Sequence, residues 1–244
     1  MVEGPLSLIE AFDHGAHVVV VYLTIDAMVR WPMLVERAEH RGVDLSFVSD
    51  SVMEAMAETR SPQGALGICK VFEHGLADVL TSRSKSIVIL EALSDPGNVG
   101  TIIRTADAAG VGGVITMGDG VDPYNGKCVR ASAGSIFHVP VASCLDSVDV
   151  LSAVRAHGAT VVVATADGEL DLFDWLASEA SITPAAWVFG SEAHGVSESM
   201  KSEADVRVRI PLYGSAESLN VSSAAAVCLY AQAHRRHERI GPSA

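Results

Sequence analysis

From residue 86 onward, short apolar runs alternate with helical segments, and this order constrains the fold more than any other feature of the sequence. Strands are predicted at 86–93, 112–118, 160–166, 185–190 and 205–212. A helix is predicted between the first two strands, and the segment at 214–231 forms the last helix. Strands that alternate with helices predict an α/β fold with a mostly parallel sheet covered on both faces. In such sheets, ligands bind beyond the carboxyl ends of the strands.

A smaller α/β unit precedes this region. Its predicted strands and helices lie, in chain order, at 18–23, 33–42, 43–49, 49–58 and 64–72. A unit of roughly 75 residues is within the usual size range of a domain. Residues 73–86 are typical of a polar connection with few core candidates. The predicted division is therefore a first domain at 1–75, a linker at 76–85 and a second domain at 86–244.

Composition excludes several classes of protein. No apolar run is long enough to span a membrane, and no signal segment opens the chain. The four cysteines never form a CxxC pair, which is typical of reduced, buried thiols in a cytoplasmic protein and makes a zinc site improbable. The net charge of −13 argues mildly against a nucleic-acid partner, although a local basic patch can lie on an acidic body.

The first strand end runs into the helical segment 98–110, for which Asn98 is the predicted N-cap and Gly110 the terminator. The apolar positions Val99, Ile102, Ile103 and Ala106 follow the spacing of a buried helix face. Gly100 and Arg104 lie on the flank of that face, so Gly100 would leave space beside the guanidinium and Asp107 could orient it. Taken alone, a surface arginine on an amphipathic helix explains this pattern better.

Two further strand ends carry small and polar residues. Residues 189–200 contain Ser191, Glu192 and His194 between two glycines, and His194 is given no catalytic role. Residues 214–222 contain Ser218 and Asn220, which are natural helix caps. Each loop alone could be an ordinary turn, but three such loops at one sheet edge predict a polar-lined pocket. The sequence contains no phosphate-binding loop of nucleoside triphosphatases (GxxxxGK[ST]) and no dinucleotide-binding GxGxxG motif. It also contains no GxSxG nucleophile motif of hydrolases and no HExxH motif.

Together, the three loops resemble the three sequence motifs of the SpoU (TrmH-like) class of SPOUT RNA 2′-O-ribose methyltransferases. The matching residues are, motif by motif, Asn98, Gly100, Arg104 and Ala106; Gly190, Glu192 and Gly195; and Ile210 and Pro211 followed by Ser218 through Ser222. Residues 122–141 also resemble the segment between the first two motifs. The resemblance covers residues 86–236 closely.

The resemblance implies a deep trefoil knot that binds S-adenosylmethionine, with no metal. The small residues from Ser222 to Ala226 would allow the close packing that threading requires. The implied cofactor-binding residues are Thr165, Gly190, Ile210, Ser218 and Leu219. The implied catalytic residues are Arg104, Asn98, Glu192, Ser218 and Asn220. A guanidinium is a poor base, so Arg104 would bind an RNA phosphate and stabilise the developing oxyanion.

The N-terminal segments VEGPLSLIEA and SPQGALGI resemble the substrate-recognition domain of the same family, which has the fold of certain ribosomal proteins. The implied RNA-binding residues are Arg60, Gln63, Lys127 and Arg130. Residues 1–80 hold five basic and twelve acidic side chains, so RNA affinity would come from local clusters, or from a basic leader that relatives often carry ahead of this element.

The predicted function is methylation of a ribose 2′-hydroxyl, most consistent with 23S ribosomal RNA, by a cytoplasmic homodimer. The alternatives are a transfer RNA 2′-O-methyltransferase, a knotted RNA-binding protein without catalysis and a base-methylating knotted enzyme. The ribose-type motifs disfavour the last, and the intact set of Asn98, Arg104 and Asn220 disfavours a non-catalytic protein. A role in antibiotic resistance, known for some relatives with this layout, is a further hypothesis.

Overall fold

The computed structural model describes residues 1–71, 74–83, 85–144 and 147–240, which form two β-sheets with helices packed against them. The first sheet belongs to the N-terminal region. The elements of that region are β1 (Val2–Glu3), α1 (Pro5–Asp13), β2 (Val18–Leu23), α2 (Ile25–Arg30), α3 (Pro32–His40), β3 (Asp44–Phe47), α4 (Asp50–Met56) and β4 (Ala65–Cys69). The strand order is β1-β4-β2-β3, with β2 and β3 parallel and the other pairs antiparallel.

A second, seven-stranded sheet follows. Its region comprises α5 (Leu76–Val79), β5 (Ile87–Glu91), α6 (Pro96–Ala108), β6 (Val114–Met117), α7 (Gly126–Ala131), β7 (Val141–Cys144), α8 (Ser147–His157), β8 (Thr160–Ala164), β9 (Leu170–Asp171), α9 (Leu172–Ala177), β10 (Ala185–Gly190), α10 (Glu198–Ser202), β11 (Val206–Arg209) and α11 (Val221–Ile240). The strand order is β7-β6-β5-β10-β8-β11-β9, and every pair is parallel. The predicted α/β class with a mostly parallel sheet is confirmed.

The central strands are buried because helices cover both faces of the sheet. All six residues of β10 are buried, as are the first four of β5. Successive residues of one strand point to opposite faces of the sheet, so they enter two different cores: Val88 packs in the first core and Ile89 in the second. Continuous apolar runs, rather than alternating ones, are the sequence pattern that such strands produce.

The sequence prediction missed three strands and misplaced one helix start. β1, β7 and β9 were not predicted because they are short edge strands of two, four and two residues. Helix α6 begins at Pro96, and Asp95 accepts a hydrogen bond from the Gly97 amide as its N-cap. Asn98 is therefore not the cap, and its side chain is free for another role.

The predicted linker also differs from expectation. Residues 76–79 form the short helix α5, and Val79 is only 1% exposed. His74 forms a β-bridge to Ala142, so this segment lies along the β7 edge of the second sheet. Residue 72 of the predicted strand and residues 73 and 84 of the predicted connection lie outside the described part of the chain. The described part of the segment thus contributes to the core instead of only joining two domains.

Ion pairs and apolar contacts join the region of the first sheet to the region of the second sheet. Arg130 of α7 contacts Glu3 at 3.1 Å and Glu58 at 2.7 Å. A single apolar core includes Leu8 of α1 together with Val129 of α7 and residues of the second sheet. Within the described residues, no helix is both long and apolar enough to cross a membrane.

Helix α11 is anchored by one buried glutamine. Gln232, which is 2% exposed, accepts hydrogen bonds from Trp187 Nε1 at 2.7 Å and Ser86 Oγ at 3.1 Å. Its amide nitrogen donates to the carbonyl oxygens of Ser181 and Thr183. Ala225 of the same helix is fully buried, which fits the close approach that its small residues predict. The trefoil knot itself stays a prediction.

Candidate active site

A pocket of about 590 Å³ lies beyond the carboxyl ends of β8, β10 and β11. This is the sheet edge at which parallel α/β folds bind ligands. All five residues predicted to bind a cofactor line it: Thr165, Gly190, Ile210, Ser218 and Leu219. The structure therefore brings together side chains and backbone from strand ends that are far apart in the sequence.

Gly190 is a glycine because the backbone of the following loop returns against it. A Cβ atom built on Gly190 would lie 2.1 Å from the carbonyl carbon of Gly195 and 2.2 Å from the Val196 nitrogen. No side chain could enter that space without moving the backbone. Gly195 has a φ of +70°, a conformation that glycine adopts without steric cost. The two glycines of this loop therefore fix its path along the pocket.

A chain of hydrogen bonds links one polar residue from each of the three loops. Asn220 Nδ2 donates to Asn98 Oδ1 at 3.1 Å, and Asn98 Nδ2 donates to Glu192 Oε1 at 2.8 Å. Glu192 also accepts hydrogen bonds from the Ser94 amide and hydroxyl at 3.2 Å. Asn220 Oδ1 accepts from the Ser222 amide and so caps α11. These contacts fix the loops relative to one another at the mouth of the pocket.

Glu192 is held as a carboxylate by this network. Its partial burial raises the pKa, but the hydrogen bonds from Asn98, Ser94 and Asp95 outweigh that effect and place the pKa below its ordinary value. An ionised Glu192 accepts hydrogen bonds only, which is the role that all of its described partners require.

Sequence reasoning missed three charged residues of the pocket: Asp167, Lys201 and Glu217. Asp167 and Lys201 both line it, and their side chains form an ion pair at 3.0 Å. Hydrogen bonds from Thr165 and Lys201 lower the pKa of Asp167 to about 2. Asp167 comes directly after the predicted strand that carries Thr165. This position could have indicated that Asp167 lines the pocket. Lys201 lies on α10, and no comparable pattern marks its position.

Arg104 lies outside the pocket, on the exposed side of α6. It makes no hydrogen bond or ion pair with any residue of the described ranges. The expectation that Asp107 orients it is wrong, because Asp107 bonds His138 Nδ1 at 2.8 Å instead. The guanidinium therefore remains available to a ligand or to another chain.

Gly100 serves helix packing and not the space beside Arg104. A Cβ atom there would lie 2.3 Å from the carbonyl oxygen of Cys128 and 2.6 Å from the Ala131 Cβ. The absence of a side chain at Gly100 thus allows α7 to pack directly on α6. The prediction that Gly100 makes room for the guanidinium is wrong for this reason.

Comparison with known proteins agrees with this geometry. The model of the family described as "SpoU rRNA Methylase family" matches residues 85–230. That range contains all three motifs and the whole pocket. The chain belongs to the SpoU rRNA methylase family. The prediction of this family, and with it of an RNA methyltransferase, is confirmed.

Individual SpoU relatives extend the match into the N-terminal region. A 23S rRNA (guanosine(2553)-2′-O)-methyltransferase of Bacillus subtilis is 35% identical over 190 residues, covering 78% of this chain and 72% of the relative. A 23S rRNA (uridine(2479)-2′-O)-methyltransferase of Streptomyces viridochromogenes is 31% identical over 95% of this chain and 80% of its own length. The crystal structure of the SpoU methyltransferase AviRb from the latter organism, in complex with AdoMet, superposes with a TM-score of 0.86 at 26% identity, covering 97% of this chain and 90% of AviRb.

The four residues predicted to bind RNA differ in their surroundings within this SpoU methylase. Arg60 and Gln63 are exposed beside β4. Lys127 forms an ion pair with Asp95 at 2.8 Å, and Arg130 lies between Glu3 and Glu58. Arg60 and Gln63 are thus the more accessible candidates, while Arg130 already joins the two regions of the chain. RNA binding by any of the four stays a prediction.

Replacement of Glu192 by Gln is expected to lower the turnover of this SpoU methylase by roughly tenfold. The amide keeps the size of the side chain but places an NH₂ group where the present donors need an acceptor, and such charge-assisted bonds contribute about 1.5–3 kcal/mol each. Single-turnover methylation assays would measure the change. Glu54→Gln, an exposed change in α4, is the matched control, and equal rates for both variants would contradict the role given to Glu192.

Proposed function

We propose that this protein transfers the methyl group of S-adenosylmethionine to a ribose 2′-hydroxyl in 23S ribosomal RNA. The observation that carries the proposal is the hydrogen-bonded chain Asn220–Asn98–Glu192, which joins the three family motifs at the mouth of the pocket. Arg104, on the same helix as Asn98, is exposed and has no partner among the described residues. This combination provides a binding pocket and a guanidinium that no described residue neutralises.

The pocket suits S-adenosylmethionine in size and lining. Its volume of about 590 Å³ lies within the range of roughly 300–1,000 Å³ that small-molecule sites occupy. Ile210, Leu219 and Ala224 supply apolar walls, while Thr165 and Ser218 supply hydrogen-bonding groups. Gly190 leaves its strand end without a side chain. When bound, S-adenosylmethionine supplies an activated methyl group on a sulfonium with a neutral leaving group, so the reaction requires no metal.

The protein's own residues then position the RNA and stabilise charge. A guanidinium stays protonated in proteins, so Arg104 binds a phosphate next to the target ribose and stabilises the oxyanion that develops on the 2′-oxygen. Asn98, Glu192 and Asn220 keep the three loops in register, and Ser218 and Asn220 are placed to hold the ribose. Holding the reacting groups in one geometry is itself a large part of the rate increase.

The N-terminal region supports ribosomal RNA as the substrate. The alignment with the 23S rRNA methyltransferase of S. viridochromogenes covers 95% of this chain, so it includes that region as well as the pocket. The 23S rRNA relatives act on different nucleotides, as their names state. Transfer RNA is the alternative substrate, and a cytoplasmic location follows from either RNA.

Incubation of the protein with labelled S-adenosylmethionine and unmodified 23S rRNA tests the proposal, with transfer RNA in parallel. We expect label in 23S rRNA and a ribose-methylated nucleotide after complete digestion. Label in transfer RNA alone would replace the proposed substrate, and label on a base would replace the proposed reaction. Titration calorimetry with S-adenosylmethionine separates these outcomes from a failure to bind the cofactor.

We further propose that the enzyme is a homodimer that pairs through α6 and α11. Arg104 is exposed on α6 and does not line the pocket of its own chain. The loop before α11, residues 210–220, is open to solvent, with Leu219 40% and Tyr213 89% exposed. A second copy would cover this loop and could bring its Arg104 to the neighbouring pocket.

Sedimentation velocity at micromolar concentration is expected to give a dimer of about twice the 25.6 kDa chain mass. Introducing a charge into the loop, as in Tyr213→Asp, should shift the protein toward monomer because an exposed aromatic side chain would no longer pack at the contact. Thr101→Asp, on the exposed side of α6, is the second variant. A wild-type monomer at this concentration would contradict the proposal.

A further inference from the structure

Two histidines and a glutamate from separate parts of the chain meet outside the active site. Glu10 and His14 belong to α1 and its C-terminal end, and His138 follows the turn of 3₁₀ helix at Ser135–Phe137. One ligand atom from each residue lies within 4.8 Å of the other two. We propose that this cluster binds a divalent transition-metal ion of the zinc type and so joins the N-terminal region to the methyltransferase region. Neither the proposed reaction nor the family assignment includes such a site.

The spacing of the three ligand atoms suits a tetrahedral ion. Glu10 Oε2 lies 3.0 Å from His138 Nε2 and 3.5 Å from His14 Nε2. Ligand atoms on a tetrahedron with metal bonds of about 2.0–2.1 Å are about 3.3 Å apart. Only small side-chain shifts would therefore place an ion between them. Three protein ligands would leave a fourth position for water.

Asp107 supplies the outer contact that metal-binding histidines usually have. Its Oδ2 lies 2.8 Å from His138 Nδ1, so with an ion bound the Nδ1 proton would be directed to Asp107 and the Nε2 lone pair would face the ion. Carboxylates that hold the second nitrogen of a ligating histidine fix its tautomer and orientation. The Asp107–His138–Glu10 line thus has the arrangement that a bound ion would require, and Asp107 is not itself a ligand.

The charges around His138 favour a cation. Two carboxylates face His138: Asp107 Oδ2 lies 2.8 Å from Nδ1 and Glu10 Oε2 lies 3.0 Å from Nε2. The His14 ring lies 4.0 Å from the His138 ring. A divalent ion would balance the two carboxylates and leave both rings neutral.

The position of the cluster gives the ion a structural consequence. Glu10 and His14 lie in the N-terminal region, whereas His138 and Asp107 lie in the second region, with Asp107 on α6 three residues beyond Arg104. An ion held at this point would limit movement of α1 against α6. It would not take part in methyl transfer, because the cluster lies outside the pocket lining.

Zinc titration by calorimetry after removal of metals with a chelator tests the proposal on the full chain. We expect one Zn²⁺ per chain, at least tenfold weaker binding in Glu10→Gln, His14→Gln and His138→Gln, and roughly 10–100-fold weaker binding in Asp107→Asn. His234→Gln is the matched control, because His234 and Glu238 also form a His–Glu i,i+4 pair, at 3.3 Å on α11, but belong to no cluster of three ligands among the described residues.

Two further measurements keep the test decisive. Circular dichroism shows which variants are folded, and Asp107→Asn retains all three ligands if a ligand variant fails to fold. Replacement of Zn²⁺ by Co²⁺ should give the visible absorption of a tetrahedral site in the wild type and lose it in His138→Gln. No stoichiometric Zn²⁺ binding by the wild type, or equal binding by His138→Gln and the wild type, would overturn the proposal.

Discussion

Arg104→Ala is expected to reduce methyl transfer by roughly a hundredfold or more while leaving the affinity for S-adenosylmethionine nearly unchanged. Removing a group that stabilises developing negative charge costs about 2.7–4 kcal/mol of transition-state stabilisation in well-studied sites. Arg104 is exposed on α6 and does not line the pocket, so its loss should not disturb cofactor binding. Single-turnover rates and calorimetric titration on the same preparation measure the two quantities separately.

Two further variants sharpen this test. Arg104→Lys should recover only part of the activity, because an ammonium cannot reproduce the planar, two-pronged contact of a guanidinium with a phosphate. Arg155→Ala is the matched control: this arginine is also on a helix surface, where it pairs with Glu203, and it is not part of the pocket. If Arg104→Ala lost cofactor binding in step with activity, Arg104 would be a structural residue.

Gln232→Met is expected to destabilise the fold by about 3–4 kcal/mol. The replacement conserves volume but removes the acceptor for Trp187 Nε1 and Ser86 Oγ and the donor to two buried carbonyl oxygens. Each buried polar group left without a partner costs about 1–3 kcal/mol. For a chain of this length, thermal unfolding should occur roughly 6–16 °C lower, at about 2–4 °C per kcal/mol.

Gln63→Met is the control for Gln232→Met, because it makes the same chemical change at an exposed position. A surface substitution of this kind should alter the free energy of unfolding by no more than about 0.5 kcal/mol. Equal melting temperatures for the two variants would show that the hydrogen bonds of Gln232 do not anchor α11.

The fold was predictable where local pattern and burial coincide. The apolar runs at Val18–Leu23 and Ala185–Gly190 became the predicted strands with the predicted bounds. The start of α6 was misplaced, although an aspartate followed by a proline is itself a signal for an N-cap and first helical position. β9 could not be found from sequence, because two residues carry no periodicity.

The site was predictable for backbone positions and less so for side-chain partners. The family resemblance implied that Thr165, Gly190 and Ile210 share one pocket. All three line it, since the carboxyl ends of parallel strands meet at one edge. The bond between Asp107 and His138 joins residues 31 apart in the sequence, and no local pattern reports such a contact. Likewise, no pattern in the sequence indicates that Arg130 forms ion pairs with Glu3 and Glu58.

The hydrogen bonds between Asn220, Asn98 and Glu192 at the mouth of the pocket join distant parts of the sequence. They therefore determine when, during synthesis of the chain, the active site can form. Asn98 and Asn220 are separated by 122 residues. At about 5–20 residues per second, roughly 6–24 s pass between the synthesis of the first and that of the second. Contacts between such distant residues form late in folding, because the intervening chain must first be closed into a loop. A nascent chain is thus expected to remain without a working site until nearly all of it has been made.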